Sequence, residues 1–362
     1  EAFENIMKVR YRIDGIMHEV MKFSKALQPS IISRIKIMSG LNITEKRLPQ
    51  DGRINVMLKN KAIDMRISIL PTIAGEGVVI RILDRSNITR GLDEIGLSLS
   101  IAEDFKAAVS QSNGMVMVTG PTGSGKTTTL YAALNTLNAP TKKIITIEDP
   151  VEYYLDGINQ VQVRPAIGFT FAAGLRAFFR QDPDIIMVGE IRDFETAQTA
   201  IEAALTGHLV MSTLHTNDAV GTVTRLMDMG IEPFLIASTL RCVLAQRLIR
   251  SNCSHCKEPV NPSSSLLKLI DKMNISIPDN SQLFKGKGCK VCNKTGYKGR
   301  VGIFELLTMS AELEDRIVDR SSGTQMMEVA KRHGLKILLE DGIEKVLNGL
   351  TTIEEVFRVA QA

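Results

Sequence analysis

Residues 120–127 read Gly-Pro-Thr-Gly-Ser-Gly-Lys-Thr, directly after the apolar run 115–119 and at the start of a helical stretch, 127–138. A strand, a glycine-rich turn and a helix in that order form the setting of a phosphate-binding loop. Glycines let backbone N–H groups turn inward around phosphate oxygens, and the helix N-terminus adds partial positive charge. Gly120, Pro121, Thr122, Gly123, Ser124 and Gly125 make the cradle. Lys126 brings a point charge to the β and γ phosphates of a nucleotide, the Thr127 hydroxyl suits Mg2+, and Thr128 ends the binding segment. Such a loop needs a sheet to carry it. Further apolar runs at 144–147, 185–188 and 209–213 alternate with helical stretches such as 196–205, the signature of a parallel sheet covered by helices. The fold class is therefore α/β.

A P-loop needs a carboxylate for Mg2+ and another to orient water. In Ile185-Ile186-Met187-Val188-Gly189-Glu190, glycine stands where Asp is usual, so Glu190 is the carboxylate at the strand end and the magnesium candidate. A second cluster, Glu148-Asp149-Pro150-Val151-Glu152, follows the run 144–147. It either offers a base at the carboxyl edge of the same sheet or is an acidic surface turn. His208 and His215 bracket 209–213. Seven residues apart, they point to opposite faces of a straight strand, which disfavours a paired metal site. Each is either a γ-phosphate sensor or a packed or solvated histidine.

Before this core, short alternating runs at 9–13, 53–58, 63–70 and 78–83 surround a helical stretch, 29–38, as expected of a small α+β domain with an antiparallel sheet. Residues 86–100, with Gly91, Gly96 and three serines, read as a linker. After it, from residue 310 on, amphipathic helices are expected, broken near Gly323, Gly334 and Gly349. Four of the five cysteines form Cys253-x-x-Cys256 and Cys289-x-x-Cys292. Each pair chelates through adjacent turns, and together they supply the four thiolates of a structural Zn2+ site, with the residues between extruded as a loop. Cys242 is expected as a small core residue within an apolar helix, and His255 as an exposed bystander.

A chain of 362 residues with 44% hydrophobic content has room for two or three cored domains, which excludes extended disorder as the main state. Its longest apolar runs, 114–118 and 234–245 interrupted by Arg241, fall short of the ~20 residues that span a bilayer. The strand-like run 6–13 follows so closely on Glu1 that further sequence is expected upstream. Net charge is only +4, and the basic excess lies in the first 97 residues, with 16 Lys and Arg against 11 Asp and Glu. With 5% aromatics and no Trp, the stacking platform and basic groove of a nucleic-acid translocase are missing. The cysteine pairs suit a reducing compartment better than a secreted disulfide framework.

Several motifs occur in a fixed order. The P-loop is followed by Ile147-Glu148-Asp149-Pro150-Val151-Glu152, then Leu175-Arg176 and Arg180-Gln181-Asp182-Pro183-Asp184. Val188-Gly189-Glu190-Ile191-Arg192-Asp193 comes next, then Thr206-Gly207-His208 and Leu214-His215-Thr216-Asn217. This order resembles the bacterial secretion and type IV pilus ATPases, the GspE and PilB proteins, with their Walker A, Asp-box, Walker B and His-box motifs. The likeness runs over nearly the whole chain, including Arg47-Leu48-Pro49-Gln50-Asp51-Gly52-Arg53 and the four-cysteine insertion. One departure is Gly75-Glu76-Gly77, where the family commonly has a basic residue after the Glu.

The resemblance implies a RecA-like P-loop ATPase core at 101–252 and a smaller N-terminal α+β, PAS-like domain at 1–85, with the linker at 86–100 between them. It further implies a four-cysteine zinc subdomain at 253–300 and a C-terminal helical region at 301–362. It implies Glu152 as the general base, Glu190 as the magnesium ligand, and Arg66 and Arg81 as arginines that reach across a cleft to the phosphates. Arg192 and Arg225 match further family arginines, and His208 and His215 are the His-box histidines. It also implies a homo-hexamer, cytoplasmic, held at the inner face of the bacterial inner membrane by platform and cytoplasmic-ring proteins. Such a motor binds no nucleic acid and drives pseudopilus assembly in type II secretion or, alternatively, extension of a type IV pilus. Ile147 and the stretch 229–236 read more like the secretion branch.

Overall fold

Alternation of apolar and polar side chains around Ile54 and over 67–69 lets a strand bury a single face. The computed structural model describes residues 1–58, 61–84, 91–261 and 281–360, in two units, Glu1–Asn87 and Ile88–Ala362. In the first unit, β1 (Ile6–Ile13) and β2 (Ile16–Ser24) form a hairpin. Its turn is Asp14-Gly15, both with positive φ, as a two-residue turn of this kind requires. A helix follows, α1 (Gln28–Met38), with Pro29 in its first turn. Then β3 (Gln50–Leu58), β4 (Lys61–Thr72) and β5 (Gly75–Asp84) make an antiparallel meander over Ile54, Ile67 and Ile69. Lys36 of α1 is buried and ion-paired to Glu76 at 2.6 Å, so the carboxylate of the Gly-Glu-Gly departure is used inside this domain.

The second unit runs α2 (Leu99–Val109), β6 (Gly114–Thr119), α3 (Lys126–Leu137), β7 (Ile144–Glu148), β8 (Asn159–Gln162), α4 (Phe171–Phe178), β9 (Ile185–Val188), α5 (Phe194–Leu205) and β10 (Leu209–Leu214). It continues through α6 (Ala219–Asp228), α7 (Pro233–Thr239), β11 (Leu240–Asn252), β12 (Lys257–Val260), β13 (Leu283–Gly286) and β14 (Tyr297–Thr308). Four helices close it: α8 (Ala311–Val318), α9 (Gly323–Arg332), α10 (Leu338–Leu347) and α11 (Ile353–Ala360). Seven strands form one sheet in the order β14-β11-β6-β10-β9-β7-β8, parallel except for β14. Every residue of β6, β7, β9 and β10 is buried. Met115, Met117, Ile147 and Val188 face one helical layer, and Val116, Val118, Ile144 and Met187 face the other. Burial on both faces is why these strands read as unbroken apolar runs.

Three expectations need correction. Cys242 is fully buried, but in strand β11 rather than a helix. The apolar stretch 234–245 divides at Leu240: helix α7 ends there, and the remainder enters the sheet beside β6, where parallel pairing satisfies its backbone. Residues 301–308, expected to open the helical region, complete β14, paired with β11. Helix α2 begins at Leu99, inside the expected linker, with the Ser98 hydroxyl accepting from Ile101 N–H. Residues 86–90 lie outside the described residues.

The last helix is held by charge. Glu355 accepts from Arg250 Nε at 3.0 Å and Nη2 at 2.8 Å, and from Arg358 Nε at 2.9 Å. Burial alone would raise this carboxyl, but the hydrogen bonds from Arg358 and Arg250 hold it down to about 2. Among the described residues no helix is long and apolar enough to cross a membrane.

Candidate functional site

Strand order sets the site. The P-loop leaves β6, the His-box turn leaves β10, Glu190 follows β9, and the acidic cluster leaves β7. All four strands are parallel, so these carboxyl ends lie along one edge of the sheet. With strands about 4.8 Å apart, the other three ends sit roughly one, two and three spacings from the P-loop strand.

Gly120, Gly123 and Gly125 have φ of 146°, 81° and 94°, a region costly for L side chains. Space is short as well: a Cβ on Gly120 would meet Gln246 O at 2.4 Å, and one on Gly125 would meet Gln246 Nε2 at 2.7 Å. Helix α3 starts at Lys126, whose buried Nζ donates to Gly120 O at 2.7 Å and Pro121 O at 3.1 Å. Burial lowers its ammonium to about 8, against the opposing pull of Glu190. Thr127 and Thr128 are exposed on the next positions. The Ser124 hydroxyl is buried without a hydrogen-bond partner among the described residues. A buried cation folded onto its own loop and an unanswered hydroxyl fit a phosphate group, whose oxygens would take the place of the loop carbonyls.

Glu190 and His215 join this cluster. Glu190 Oε1 lies 2.5 Å from Arg192 and Oε2 lies 3.5 Å from His215 Nε2, while His215 Nδ1 is 3.5 Å from Lys126 Nζ. Gly189, before Glu190, is closely packed. A Cβ on Gly189 would press on Glu148 Cα and Ile147 O, both at 3.3 Å, because its N–H bonds to Ile147 O at 2.8 Å.

In the acidic cluster the two glutamates divide. Glu148 is buried and accepts from the Tyr131 hydroxyl, from Thr146 Oγ1 at 2.6 Å and from Gln160 Nε2 at 3.2 Å, and burial raises its carboxyl. Its oxygens are occupied in fastening β7 to the P-loop helix. Glu152 is only half-buried and its N–H donates to the same Tyr131 hydroxyl at 3.3 Å.

Other expected residues lie elsewhere. His208 sits at the amino end of β10, with Nδ1 2.9 Å from Ala203 O, so the strand's length separates it from the P-loop of its own chain. Arg225 is exposed in the last turn of α6. In the first unit, Arg66 pairs in register with Arg81 on one side and Arg53 on the other, so three arginines share one row across the sheet.

Sequence reasoning missed Tyr131, Gln246, Arg247, Glu305 and the place of Arg53. Gln246 Oε1 accepts from Thr129 Oγ1 at 2.7 Å, behind the P-loop. Glu305 is buried, which pushes its carboxyl up to about 7. Gln246, Arg247 and Glu305 lie outside every motif and carried no signal, since each acts through a partner at least 30 residues away, and the role of Tyr131 and the place of Arg53 depend on pairings between separate strands and helices.

The four cysteines come together. Cys256 and Cys289 are joined by the antiparallel pair β12 and β13; residues 262–280, within the expected loop, lie outside the described residues. All four Sγ atoms lie within 4.8 Å of one another, with Cys253–Cys289, Cys256–Cys292 and Cys289–Cys292 at 3.9, 3.8 and 3.7 Å. A tetrahedron with Zn–S bonds of about 2.3 Å has edges of about 3.8 Å, so the donor set fits Zn2+. Cys289 N–H donates to Cys292 Sγ at 3.1 Å and lowers that thiol to about 6. His255 is exposed and not part of the cluster.

A parallel sheet whose edge carries a glycine loop, a buried lysine and strand-end carboxylates defines a P-loop nucleotide-binding protein of the RecA-like type. The family described as Type II/IV secretion system protein matches residues 1–358, and the chain belongs to it. The Type II secretion system ATPase E of Vibrio cholerae is 48% identical over 361 residues, covering 100% of this chain and 71% of the relative. The Type IV pilus assembly ATPase PilB of Myxococcus xanthus is 49% identical over 361 residues, covering 98% and 63%. Among solved structures, the Legionella pneumophila ATPase DotB matches with a TM-score of 0.67 at 20% identity, covering 98% of this chain and 90% of that one. The pilus retraction motor PilT with bound ADP gives 0.63 at 22%, covering 98% and 92%. At such identities the structural likeness is one of fold.

Proposed function

We propose that the chain is the motor portion of an ATPase that hydrolyses Mg-ATP to drive assembly of a pseudopilus in type II secretion; extension of a type IV pilus is the alternative, with relatives of both kinds near 48% identity. The observation that supports it most is the Lys126–His215–Glu190 cluster at the mouth of the P-loop. Lys126 and the loop N–H groups bind the phosphates, Thr127 and Glu190 hold Mg2+, and Glu152 takes the proton from water. Held there, Mg2+ would supply charge neutralisation to the phosphates. Arg192 supports Glu190, and Arg66 and Arg81 complete the site when domains close in a homo-hexamer. His208 and Arg225, set apart from the P-loop of their own chain, serve a neighbouring copy in this reading. Inner-membrane platform and cytoplasmic-ring proteins hold the ring at the cytoplasmic face of the membrane. Steady-state ATP hydrolysis tests it. Turnover is expected only with Mg2+, faster in oligomeric fractions, and Arg66→Ala or Arg81→Ala should lower kcat by up to ~10³ with a smaller change in KM. Metal-independent turnover, or unchanged kcat in both variants, would remove the reading.

The four cysteines hold one Zn2+ per chain in a purely structural role, because four thiolates leave no position for water. Cys289→Ser is expected to lose zinc on metal analysis and to open the segment to protease while ATP binding persists. A wild type with four titratable thiols, no zinc and the same protease resistance would contradict this.

A further inference from the structure

Arg247 and Glu305 place two ionisable side chains in the interior of the second unit, at 4% and 2% exposure, outside every nucleotide-binding motif. Arg247 lies on β11 and reaches both sides of the site. Its Nη1 donates to Gln246 O at 3.3 Å, and its Nη2 donates to Asn217 O at 2.9 Å and Oδ1 at 3.4 Å. A Cβ on Gly120 would stand 3.2 Å from Nη1, so the guanidinium packs directly behind the first residue of the P-loop. Glu305 lies on β14, opposite Ala245 of β11. One oxygen accepts from Ala219 N–H at 2.8 Å, at the start of α6, and the other from Leu338 N–H at 3.4 Å, at the start of α10. Asp218, between the two held residues, caps α6 through Gly221 N–H at 2.6 Å.

The turn 215–218 is thus gripped at Asn217 by Arg247 and just beyond its end by Glu305, while its first residue, His215, faces Lys126 and Glu190. Ionisable groups are costly to bury and are not in themselves a source of stability. What they add is geometry, because a planar guanidinium fork fixes two carbonyls relative to each other in a way an ammonium does not. We propose that Arg247 and Glu305 are positioning residues for hydrolysis, which hold the turn so that His215 keeps its place over Lys126 and Glu190, and leave nucleotide affinity to the P-loop. This rests on the ATPase reading above.

Arg247→Lys keeps the buried cation and removes the fork; Glu305→Gln keeps the shape and removes the carboxylate. For each, ATP hydrolysis with Mg2+ and binding of a non-hydrolysable ATP analogue are measured well below the melting midpoint. Glu355→Gln, which removes another buried carboxylate at the last helix, serves as the stability control. The expected result is a kcat lower by about tenfold or more in both variants, with analogue affinity within about threefold, and a kcat for Glu355→Gln near wild type despite a lower midpoint. Unchanged kcat in either folded variant overturns the proposal. So does an equal loss of analogue affinity, an equal kcat loss in Glu355→Gln, or failure of both variants to fold, which would make the pair structural; if one alone fails to fold, the other decides. Lys126→Ala in parallel separates the failures. Wild-type hydrolysis indifferent to Lys126 would sink the ATPase reading, whereas Lys126-dependent hydrolysis that ignores Arg247 and Glu305 sinks only the positioning pair.

Discussion

Lys126→Ala is expected to lower the rate of ATP hydrolysis by on the order of 10³ or more. The reason lies in what the side chain does without ligand. Its ammonium is buried and donates to two carbonyls of its own loop, Gly120 O and Pro121 O, with His215 Nδ1 at 3.5 Å. Phosphate oxygens are better acceptors for a cation than neutral carbonyls, so charge that develops on the phosphates during hydrolysis is answered there. Alanine removes this cation and leaves the cradle otherwise intact. A coupled-enzyme assay with purified wild type and variant reads the effect directly, and a variant within about twofold of wild type would dismiss the phosphate-cradle assignment.

Glu152→Gln is expected to bind Mg-ATP nearly as wild type while losing hydrolysis by roughly 10²–10⁴, the range for removal of a general base. Glu148→Gln should behave differently. Its oxygens are engaged by Tyr131, Thr146 and Gln160, so its substitution perturbs the join between β7 and α3 and shows as a lower melting midpoint before a specific loss of chemistry. Single-turnover hydrolysis beside analogue binding distinguishes the two. Full activity in Glu152→Gln with loss in Glu148→Gln would move the base to Glu148.

A feature of this chain is legible in its sequence when the interactions that make it are short in range. The P-loop was legible because its chemistry requires a strand, a turn and a helix in succession, all within one stretch. The two Cys-x-x-Cys pairs were legible for the same reason, since each half-site is local and four thiolates have few other uses. The stretch 234–245 was not, because a short apolar run is the same signal for a buried helix and a buried strand. Its division at Leu240 depends on β6 offering a free edge from more than a hundred residues away. The alternation over 63–70 and 78–83 announced strands, yet only pairing shows that Arg53, Arg66 and Arg81 stand in one row.

By itself, then, the sequence determined that this chain carries a P-loop on an α/β sheet, a four-thiolate cluster and family membership, because those rest on contiguous residues whose spacing is their function. The tertiary structure alone decided which carboxylate of 148–152 is tied up, how closely Gly189 packs on Ile147 and Glu148, that His215 but not His208 meets the P-loop within one chain, and that Gln246, Arg247 and Glu305 stand behind it. Those outcomes follow from strand order, and strand order is set by which apolar faces can be buried together and which backbone edges can pair. Neither is written in any one stretch of the chain.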